Sequence, residues 1–499
     1  MKNKISFSKL QTQAIYAPIG QNLISAGAGS GKTAVLTARI IRLLQDGVSL
    51  QQLIVLTFTN AAAQEMKERV RKELQEASLQ ENQHLKEQLA NIDQANIQTF
   101  DAFSLSIVKR YHYLLGFPKA ISIADSVLLA KLRKECVDKV FLSYYENKDQ
   151  RFFALLEAFA KKEDTDLQHA FNSILQQVSL LVDSKEFLDV YPNVFLEDTF
   201  IQRATQTFLE YLQETLKDIK VSFKELYSLV QSGIGTKHLQ IIDLGLSDLY
   251  NAKSYESIKE ALQFTFPRID RNIPEDEKNI IQDKKKYLKS ILEGLQKLCD
   301  YDSLSAIKLQ LKHTFSFQEI VLEMLKKIYD LFEAKKQSEN LYDFMDIAKA
   351  AIRLFQDYPW LQEEYQNSIA EILIDEYQDT SDLQDALISL IAKHNVYMVG
   401  DVKQSIYRFR YANPAIFQEK FVLFQNSKNS SVIELSENYR SREEVIRGIN
   451  SLFSNIMSKE MGGVAYVGGQ HLAYGNKTYE TKDNKSRYGI YSLTYHLDE

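Results

Sequence analysis

The chain has 499 residues, of which 45% are hydrophobic and 25% charged, and this length allows about two to four folded domains. Its net charge of −6 excludes a uniformly basic nucleic-acid-binding surface, so any such site must be a local groove. The two cysteines, Cys136 and Cys299, exclude a disulfide framework, and without a long apolar run or a signal peptide we expect a cytoplasmic protein outside the membrane.

Residues 1–105 alternate short apolar runs with helical patterns. "QNLISA" precedes a helix that starts after Gly31, "LIVLTFT" leads into "NAAAQEMKERVRKELQEA", and "ANIQTF" follows. This alternation is typical of a parallel sheet covered by helices. We therefore predict an α/β fold whose first strand leads into a glycine-rich loop.

The pattern changes in the middle of the chain, where long segments such as "FSFQEIVLEMLKKIYDLFEAKKQ" have helical spacing. Strand-like runs return with "AEILIDEYQDT", "NVYMVGDVKQ" and "SVIELSENYRS". A sheet domain interrupted by a helical one explains this order. We predict a first domain formed by residues 1–105 and 341–425, an all-helical insertion at 106–340, and the incomplete start of a second domain at 426–499.

The glycine-rich loop matches the P-loop pattern G-x-x-x-x-G-K-[ST], with alanine in the first glycine position. Its backbone N–H groups and the next helix N-terminus are suited to phosphate; Lys32 would reach the β- and γ-phosphates, and Thr33 would coordinate Mg²⁺. The alternative is a chance glycine-rich turn, which the strand–loop–helix context disfavours. The predicted nucleotide-binding residues are Ala26, Gly27, Ala28, Gly29, Ser30, Gly31, Lys32 and Thr33.

A pair of carboxylates, Asp375 and Glu376, ends the apolar run in "EILIDEYQDT". Open α/β sheets bind ligands at the carboxyl ends of their strands. Asp375 would hold Mg²⁺ through water, and Glu376 would polarise the attacking water as a general base. Such a pair in isolation is more often a turn or a helix start, but the P-loop upstream favours the catalytic interpretation.

Two further strand ends carry polar groups. Gln404 follows "VYMVGD", and an amide there can sense the γ-phosphate of a nucleotide. Arg440 follows "IELSENY" and offers a cation for transition-state charge. By itself Arg440 could be an ordinary surface arginine; its position at a strand end in this motif order favours a functional role.

The motifs "AGAGSGKT", "LTFTNAAAQEM", "ILIDEYQDTSDLQ", "MVGDVKQSIYRFR" and "LSENYRS" resemble, in this order, those of superfamily 1 DNA helicases of the UvrD/Rep type. "MVGDVKQSIYRFR" and "VKRYHYLLGFPKAISIAD" are most similar to the AddA (RexA) subunit of the bacterial helicase–exonuclease that processes double-strand breaks. The resemblance starts at Phe7 and is weaker through the helical insertion. It implies RecA-like P-loop domains, ATP and Mg²⁺ as cofactors, single- and double-stranded DNA as substrates, and a second subunit of AddB (RexB) type.

The resemblance also assigns roles around the nucleotide. Gln11 matches a glutamine that reads adenine, although a glutamine on a helix face is the ordinary alternative. Tyr439 matches a residue that packs on the adenine ring, and Arg440 one that contacts the γ-phosphate. The implied catalytic set is Glu376, Lys32, Gln404 and Arg440, with Thr33 and Asp375 as the metal ligands.

DNA contacts follow from the same resemblance. The segment "TFTN" places Phe58, Thr59 and Asn60 where this family touches single-stranded DNA, and Tyr407 and Phe409 lie where rings stack on bases. Aromatic faces accept any base, as sequence-independent movement requires. Core packing is the alternative for these rings. The remaining candidates are Arg410, which would bind phosphate or pair with the acidic motif, and, more weakly, Thr99 and Phe103.

One position departs from the family pattern: Asp101 stands where most relatives carry a histidine. A carboxylate would repel DNA phosphate, so we leave Asp101 out of the predicted DNA contacts. Two later helicase motifs and the nuclease module have no counterpart after Arg440. We therefore expect a helicase portion that hydrolyses ATP slowly alone, the alternatives being a repair helicase without nuclease or an ATP-binding, DNA-binding protein without motor activity.

Overall fold

The computed structural model describes residues 6–78, 82–160, 163–196, 198–231, 244–245, 247–266, 274–458, 464–466 and 468–476. The chain divides into two compact units. The first comprises Met1–Leu132, Gln176–Ser184 and Phe332–Glu499, and the second comprises Arg133–Leu175 and Lys185–Leu331. None of the described helices combines the length and the apolar composition that crossing a bilayer requires.

A parallel sheet organises the first unit. In chain order its strands are β1 Gln21–Ala26, β2 Leu53–Thr57, β3 Asn96–Thr99, β4 Ser122–Ile123, β5 Leu341–Tyr342, β6 Glu371–Ile374, β7 Val396–Gly400, β8 Ser430–Leu435, β9 Glu437–Asn438 and β10 Ala473–Tyr474. Among the described residues, the main sheet has six strands in the order β3-β2-β6-β7-β1-β8, all paired in parallel. Two small parallel pairs, β4 with β5 and β9 with β10, accompany it.

The helices follow the strands in alternation and then dominate the middle of the chain. They are α1 Lys9–Ile15, α2 Lys32–Gln45, α3 Asn60–Ser78, α4 Gln83–Ala90, α5 Phe100–Arg110, α6 Ser126–Glu146, α7 Gln150–Phe159, α8 Thr165–Val178, α9 Ser184–Leu196, α10 Asp198–Gln231, α11 Tyr255–Ala261, α12 Glu275–Leu298, α13 Leu304–His313, α14 Phe315–Glu339, α15 Phe344–Asp357, α16 Pro359–Ser368, α17 Asp382–Ile391, α18 Pro414–Gln425 and α19 Glu443–Ile456. The alternation at both ends of the chain confirms the predicted α/β fold with a parallel sheet.

Both faces of the sheet are covered, which explains why its central strands are apolar throughout. Successive residues of β1, Leu23 and Ile24, belong to different hydrophobic clusters, because neighbouring side chains of a strand point to opposite faces. The same alternation separates Ile372 from Leu373 in β6. The core is therefore split into two layers by the sheet.

The second unit is built from helices in its described residues. Leu212, Phe223, Tyr255 and Leu288 are buried there in one cluster. Cys136 and Cys299 are both buried and take part in no disulfide, as expected from the cysteine count.

Two features differ from the predicted domain boundaries. Strand β8, which the boundary after residue 425 assigns to a second domain, pairs with β1 from Gln21 opposite Ser430 to Ala26 opposite Leu435. Helix α5 extends past residue 105, because Ile107 and Val108 are buried in the core of the first unit. Apolar burial thus continues beyond both predicted limits.

A buried ion pair joins the sheet to the helix after the glycine-rich loop. Arg39 of α2 and Glu371 of β6 have fully buried side chains, with Arg39 Nε 2.8 Å from Glu371 Oε2 and Nη2 2.5 Å from Oε1. The Arg39 guanidinium also donates to the Ala17 carbonyl at 2.7 Å and lies 4.4 Å from the ring centre of Tyr397. Burial raises the pKa of Glu371, an effect that Arg39 opposes. The pair therefore fixes α2 relative to the sheet.

Replacing Arg39 with methionine should destabilise the first unit by about 3–5 kcal/mol, because it leaves a buried carboxylate unpaired. Unfolding in urea can be followed by the fluorescence of Trp360, the single tryptophan, which lies in this unit. Arg69→Met is the matched control: Arg69 pairs with Glu65 at 2.5 Å on an exposed helix face, and its loss should cost less than about 1 kcal/mol. Equal destabilisation by both variants would contradict the role of the buried pair.

Candidate functional site

The glycine-rich loop lies at the carboxyl edge of the sheet, between the end of β1 and the start of α2. Gly29 and Gly31 have φ of 70° and 82°, in the left-handed region that favours glycine. A Cβ on Gly29 would also lie 2.9 Å from atoms of Arg440 and Asn438. The glycines therefore serve the backbone conformation that turns N–H groups toward a phosphate at the α2 N-terminus.

Residues that follow β8 hold this loop in place. Asn438 Nδ2 donates to the Ala28 carbonyl at 2.7 Å, and the Tyr439 N–H donates to the Gly29 carbonyl at 2.9 Å. Asn438, which is buried, was missed by sequence reasoning. Its place between a strand end and Tyr439 was the available signal, because asparagine readily bonds neighbouring backbone.

Gln11 and Tyr439 lie on the same side of the loop, and both contact Ser8. The buried Gln11 amide accepts from the Ser8 N–H at 2.8 Å and donates to the Ser30 carbonyl at 2.9 Å. Burial, followed by a hydrogen bond to Glu437, raises the pKa of Tyr439, whereas contact with Ser8 lowers it. The structure thus brings the two predicted adenine contacts together, with the Gln11 amide engaged in bonds within the chain.

The carboxylate pair lies at the same edge, just after β6. Asp375 is buried, and burial together with the neighbouring Glu376 charge raises its pKa to about 6. Glu376 has a φ of 50°, an unusual left-handed conformation for a non-glycine residue. Its N–H donates to Asp375 Oδ1 at 3.0 Å. Such conformations cluster at functional sites, where the surrounding structure maintains the strain.

Three predicted catalytic side chains converge. Lys32 Nζ donates to Glu376 Oε2 at 2.7 Å and to Gln404 Oε1 at 3.2 Å. Lys32 has a side chain only 10% exposed, against 40% for Glu376. Within the chain the ammonium is therefore neutralised by the carboxylate, and a phosphate group would compete with Glu376 for it.

The predicted arginine stands apart from this group. Arg440 is exposed, and its side chain makes no hydrogen bond or ion pair with any of the described residues. Its backbone N–H donates to Asn438 Oδ1 at 2.9 Å, beside the glycine-rich loop. Asn438 therefore anchors the backbone of Arg440, and the exposed guanidinium is available for an anion.

The residues at this edge fit a magnesium ion. Thr33 and Asp375 supply hydroxyl and carboxylate oxygens, the hard ligands that Mg²⁺ accepts together with water and nucleotide phosphates. The raised pKa of Asp375, caused by burial and then by the adjacent Glu376 charge, also favours a nearby cation.

A cavity of about 800 Å³ in the first unit is lined by several of the predicted DNA contacts. Tyr407 and Phe409, whose ring centres are 5.7 Å apart, line it, and Phe409 is 72% exposed. The Arg410 guanidinium lies 5.4 Å from the Tyr407 ring centre. Of the predicted DNA contacts, the cavity is lined by Phe58, Thr59, Tyr407, Phe409 and Arg410.

The other predicted DNA contacts, Asn60, Thr99 and Phe103, do not line this cavity. Asn60 is exposed at the start of α3, next to Thr59, whose hydroxyl accepts from the Ala62 N–H at 3.1 Å. Thr99 is buried and caps α5, and Phe103 is buried in the core. Because neither Thr99 nor Phe103 offers an exposed surface, we remove both from the DNA contacts.

Sequence comparison assigns the family. A family model described as the UvrD/REP helicase N-terminal domain matches residues 7–425. The chain belongs to the UvrD/Rep helicase family. The predicted resemblance to superfamily 1 helicases of this type is thereby confirmed.

Curated relatives of this UvrD/Rep family member are named as the A subunit of an ATP-dependent helicase/nuclease. Those of Lactobacillus johnsonii, Staphylococcus carnosus and Clostridioides difficile are 31%, 32% and 30% identical over 95%, 95% and 97% of the chain. The chain spans 42%, 41% and 41% of their lengths, respectively. The predicted similarity to the A subunit of a helicase–nuclease is confirmed.

Glu376→Gln tests whether the Lys32–Glu376 contact opposes nucleotide binding. We expect the affinity for an ATP analogue to rise about threefold to tenfold, because a half-exposed ion pair contributes about 1 kcal/mol. Hydrolysis should fall by about a hundredfold or more, because the general base is lost.

Titration with a fluorescent nucleotide measures the affinity, and single-turnover assays measure the rate. Lys32→Ala serves as the control that should lose nucleotide binding. Unchanged affinity in Glu376→Gln would show that the ion pair does not compete with phosphate.

Proposed function

We propose that this chain is the ATP-hydrolysing motor portion of a DNA helicase/nuclease, within its A subunit. The observation that carries the proposal is the convergence of Lys32, Glu376 and Gln404 at the end of the P-loop. A purely structural P-loop fold would not require a lysine, a carboxylate and an amide from three separate strand ends to meet. The name of the curated relatives supports the same activity.

The chain's own residues would share the chemistry of γ-phosphoryl transfer. Water attacks the γ-phosphorus, the bond to the bridging oxygen of ADP breaks, and Glu376 accepts the proton of the water. Lys32 stabilises the phosphate charge, and Gln404 senses the γ-phosphate. The exposed Arg440 would add positive charge next to the γ-phosphate. Mg²⁺, held by Thr33 and Asp375, would neutralise charge on the phosphates.

Single-stranded DNA would pass over the cavity rim. Phe58, Tyr407 and Phe409 provide rings for bases of any sequence, Arg410 provides charge for the backbone, and Thr59 and Asn60 provide polar contacts. We propose RecA-like organisation of the first domain, with the helical insertion between α5 and β5 and a second domain that begins after β8. The finer assignments, unwinding of double-stranded DNA in break repair and recombination, an AddB/RexB-type partner and a cytoplasmic location, rest on the family resemblance.

The test is ATP hydrolysis by residues 1–499 under single-turnover conditions, with and without oligo(dT). We expect slow hydrolysis that DNA accelerates, and loss of hydrolysis in Lys32→Ala because the phosphate loses its ammonium partner. Hydrolysis that persists in Lys32→Ala, or nucleotide binding without any hydrolysis, would contradict a motor function of this chain.

A substitution of Asp101 provides a second test, which asks whether the cavity binds DNA. Asp101 lines the cavity, and desolvation by the surrounding protein raises its pKa although the side chain still reaches solvent. Asp101→Asn should tighten oligo(dT) binding about threefold to tenfold at neutral pH by removing a charge that repels phosphate. The gain should shrink as the pH falls toward the raised pKa, because the wild-type carboxyl then becomes neutral.

Fluorescence anisotropy of labelled oligo(dT) measures this effect. Asp357→Asn is the matched control, because Asp357 is exposed at the end of α15 and does not line the cavity. Equal effects of the two substitutions would show only a change in net charge. No effect of Asp101→Asn would place the DNA away from the cavity.

A further inference from the structure

The side chains of the nucleotide site form a closed ring of hydrogen bonds. Lys32 bonds Glu376 and Gln404, as described above; Gln404 Nε2 donates to Asp401 Oδ2 at 2.7 Å. Gln378 closes the ring, since its Nε2 donates to Glu376 Oε2 at 2.8 Å and its Oε1 accepts from the Asp401 N–H at 2.9 Å. The residues of the ring come from the P-loop, the end of β6 and the end of β7.

Gln378 has the most constrained side chain of this ring. It is 1% exposed, and its Nε2 also donates to Asp379 Oδ2 at 3.1 Å. The orientation of its amide is determined by the chemistry of its neighbours: the Asp401 N–H can only donate, so it must face the oxygen, and the carboxylates must face the NH₂ group. A Cβ on Gly400 would lie 2.6 Å from Gln378 Oε1, so the end of β7 leaves the amide little freedom.

This arrangement matters when nucleotide arrives. Among the described residues, the hydrogen-bond partners of the Glu376 carboxylate are Lys32 and Gln378. A phosphate that attracts Lys32 removes one of them, and Gln378 remains to hold Glu376 Oε2. The other carboxylate oxygen is then left to receive the proton of the attacking water.

Gln378 also contacts the segment that carries Tyr407 and Phe409, the rings proposed to stack on DNA bases. Ser405 Oγ donates to the Gln378 carbonyl at 3.2 Å, and the Asn413 N–H donates to the Thr380 carbonyl at 2.9 Å. Both ends of the segment containing Tyr407 and Phe409 are thus bonded to the turn that contains Gln378. Hydrogen bonds therefore connect Glu376, through the turn that contains Gln378, to the segment that lines the cavity.

We propose that Gln378 is a positioning residue: it orients Glu376 to accept the proton of the attacking water, and it connects that carboxylate to the DNA-contacting segment 405–413. The inference rests on the proposed ATPase function. In this role Gln378 differs from the residues that bind phosphate. It affects the rate of hydrolysis and the stimulation of that rate by DNA, and it leaves nucleotide affinity unchanged.

Gln378→Met tests this role, because methionine fills the space and makes none of the three side-chain hydrogen bonds. We expect the single-turnover hydrolysis rate to fall on the order of tenfold to a hundredfold, as misplacement of a catalytic group does. The dissociation constant for a fluorescent ATP analogue should stay within about twofold, since the phosphate contacts remain. The ratio of rates with and without oligo(dT) should decrease toward one.

Gly400→Ala is a second variant that keeps the amide and displaces it, so it should lower the rate and the DNA stimulation in the same direction. The matched control is Gln88→Met. Gln88 is also a buried glutamine that accepts from a backbone N–H, that of Leu50 at 2.8 Å, but it belongs to α4. Gln88→Met should lower the urea midpoint, read from Trp360 fluorescence, about as much as Gln378→Met and leave hydrolysis unchanged.

The outcomes separate the positioning role from the proposed function. Wild-type rates and wild-type DNA stimulation in Gln378→Met overturn the positioning role alone. The role is also overturned if affinity falls as much as the rate, or if Gln88→Met loses as much activity, since both results describe a general loss of structure. Absence of Lys32-dependent hydrolysis in the unsubstituted chain overturns the proposed function itself, and the role of Gln378 with it.

Discussion

The parallel pairing of β1 with both β7 and β8 is the constraint on which the site depends. It places Asn22 opposite Tyr397 on one side and opposite Ser431 on the other, so segments from the two ends of the chain become neighbours. Since parallel strands end at the same edge, the P-loop, Gln404 and Arg440 are brought to that edge by backbone pairing alone. The second unit can then lie between these segments in sequence without separating them in the sheet.

The electrostatics of the edge follow from this placement. Burial, and after it the repulsion by the neighbouring Glu376 charge, raises the pKa of Asp375. Lys32 and the amide of Gln378 compensate the Glu376 carboxylate, and Gln404 accepts a second hydrogen bond from Lys32. Each contact that Lys32 makes within the chain is therefore also a contact that nucleotide must rearrange. The site is built for exchange between two sets of partners.

Patterns that depend on local backbone or burial were predictable from the sequence. The glycines at positions 29 and 31 have the positive φ that the P-loop pattern requires, and continuous apolar runs became the central strands. Predictions that depend on tertiary packing were weaker. Phe103 was predicted as a weaker DNA contact, but its position on α5 places its ring in the hydrophobic core. Strand β8 was assigned to a second domain because its register with β1 involves residues distant in the chain.

Gln378 shows the other limit of sequence reasoning. A glutamine in "DEYQDT" carries no periodicity and no charge, so nothing in the sequence distinguishes a buried amide with three partners from an exposed one. Its role became visible only when the ends of β6 and β7 were placed side by side. The carboxylate pair, by contrast, could be found because it ends an apolar run in a chain that carries a P-loop pattern upstream.

The bond between Lys32 and Glu376 has a consequence for the end of the catalytic cycle. In the proposed function the Lys32 ammonium would hold the products after hydrolysis, and the Glu376 carboxylate would be an intramolecular competitor that never diffuses away. Its return to Lys32 lowers the retention of ADP and phosphate and so favours their departure. In many enzymes product release limits the overall rate. The residue proposed to accept the proton would thus also help to release the products before the next nucleotide binds.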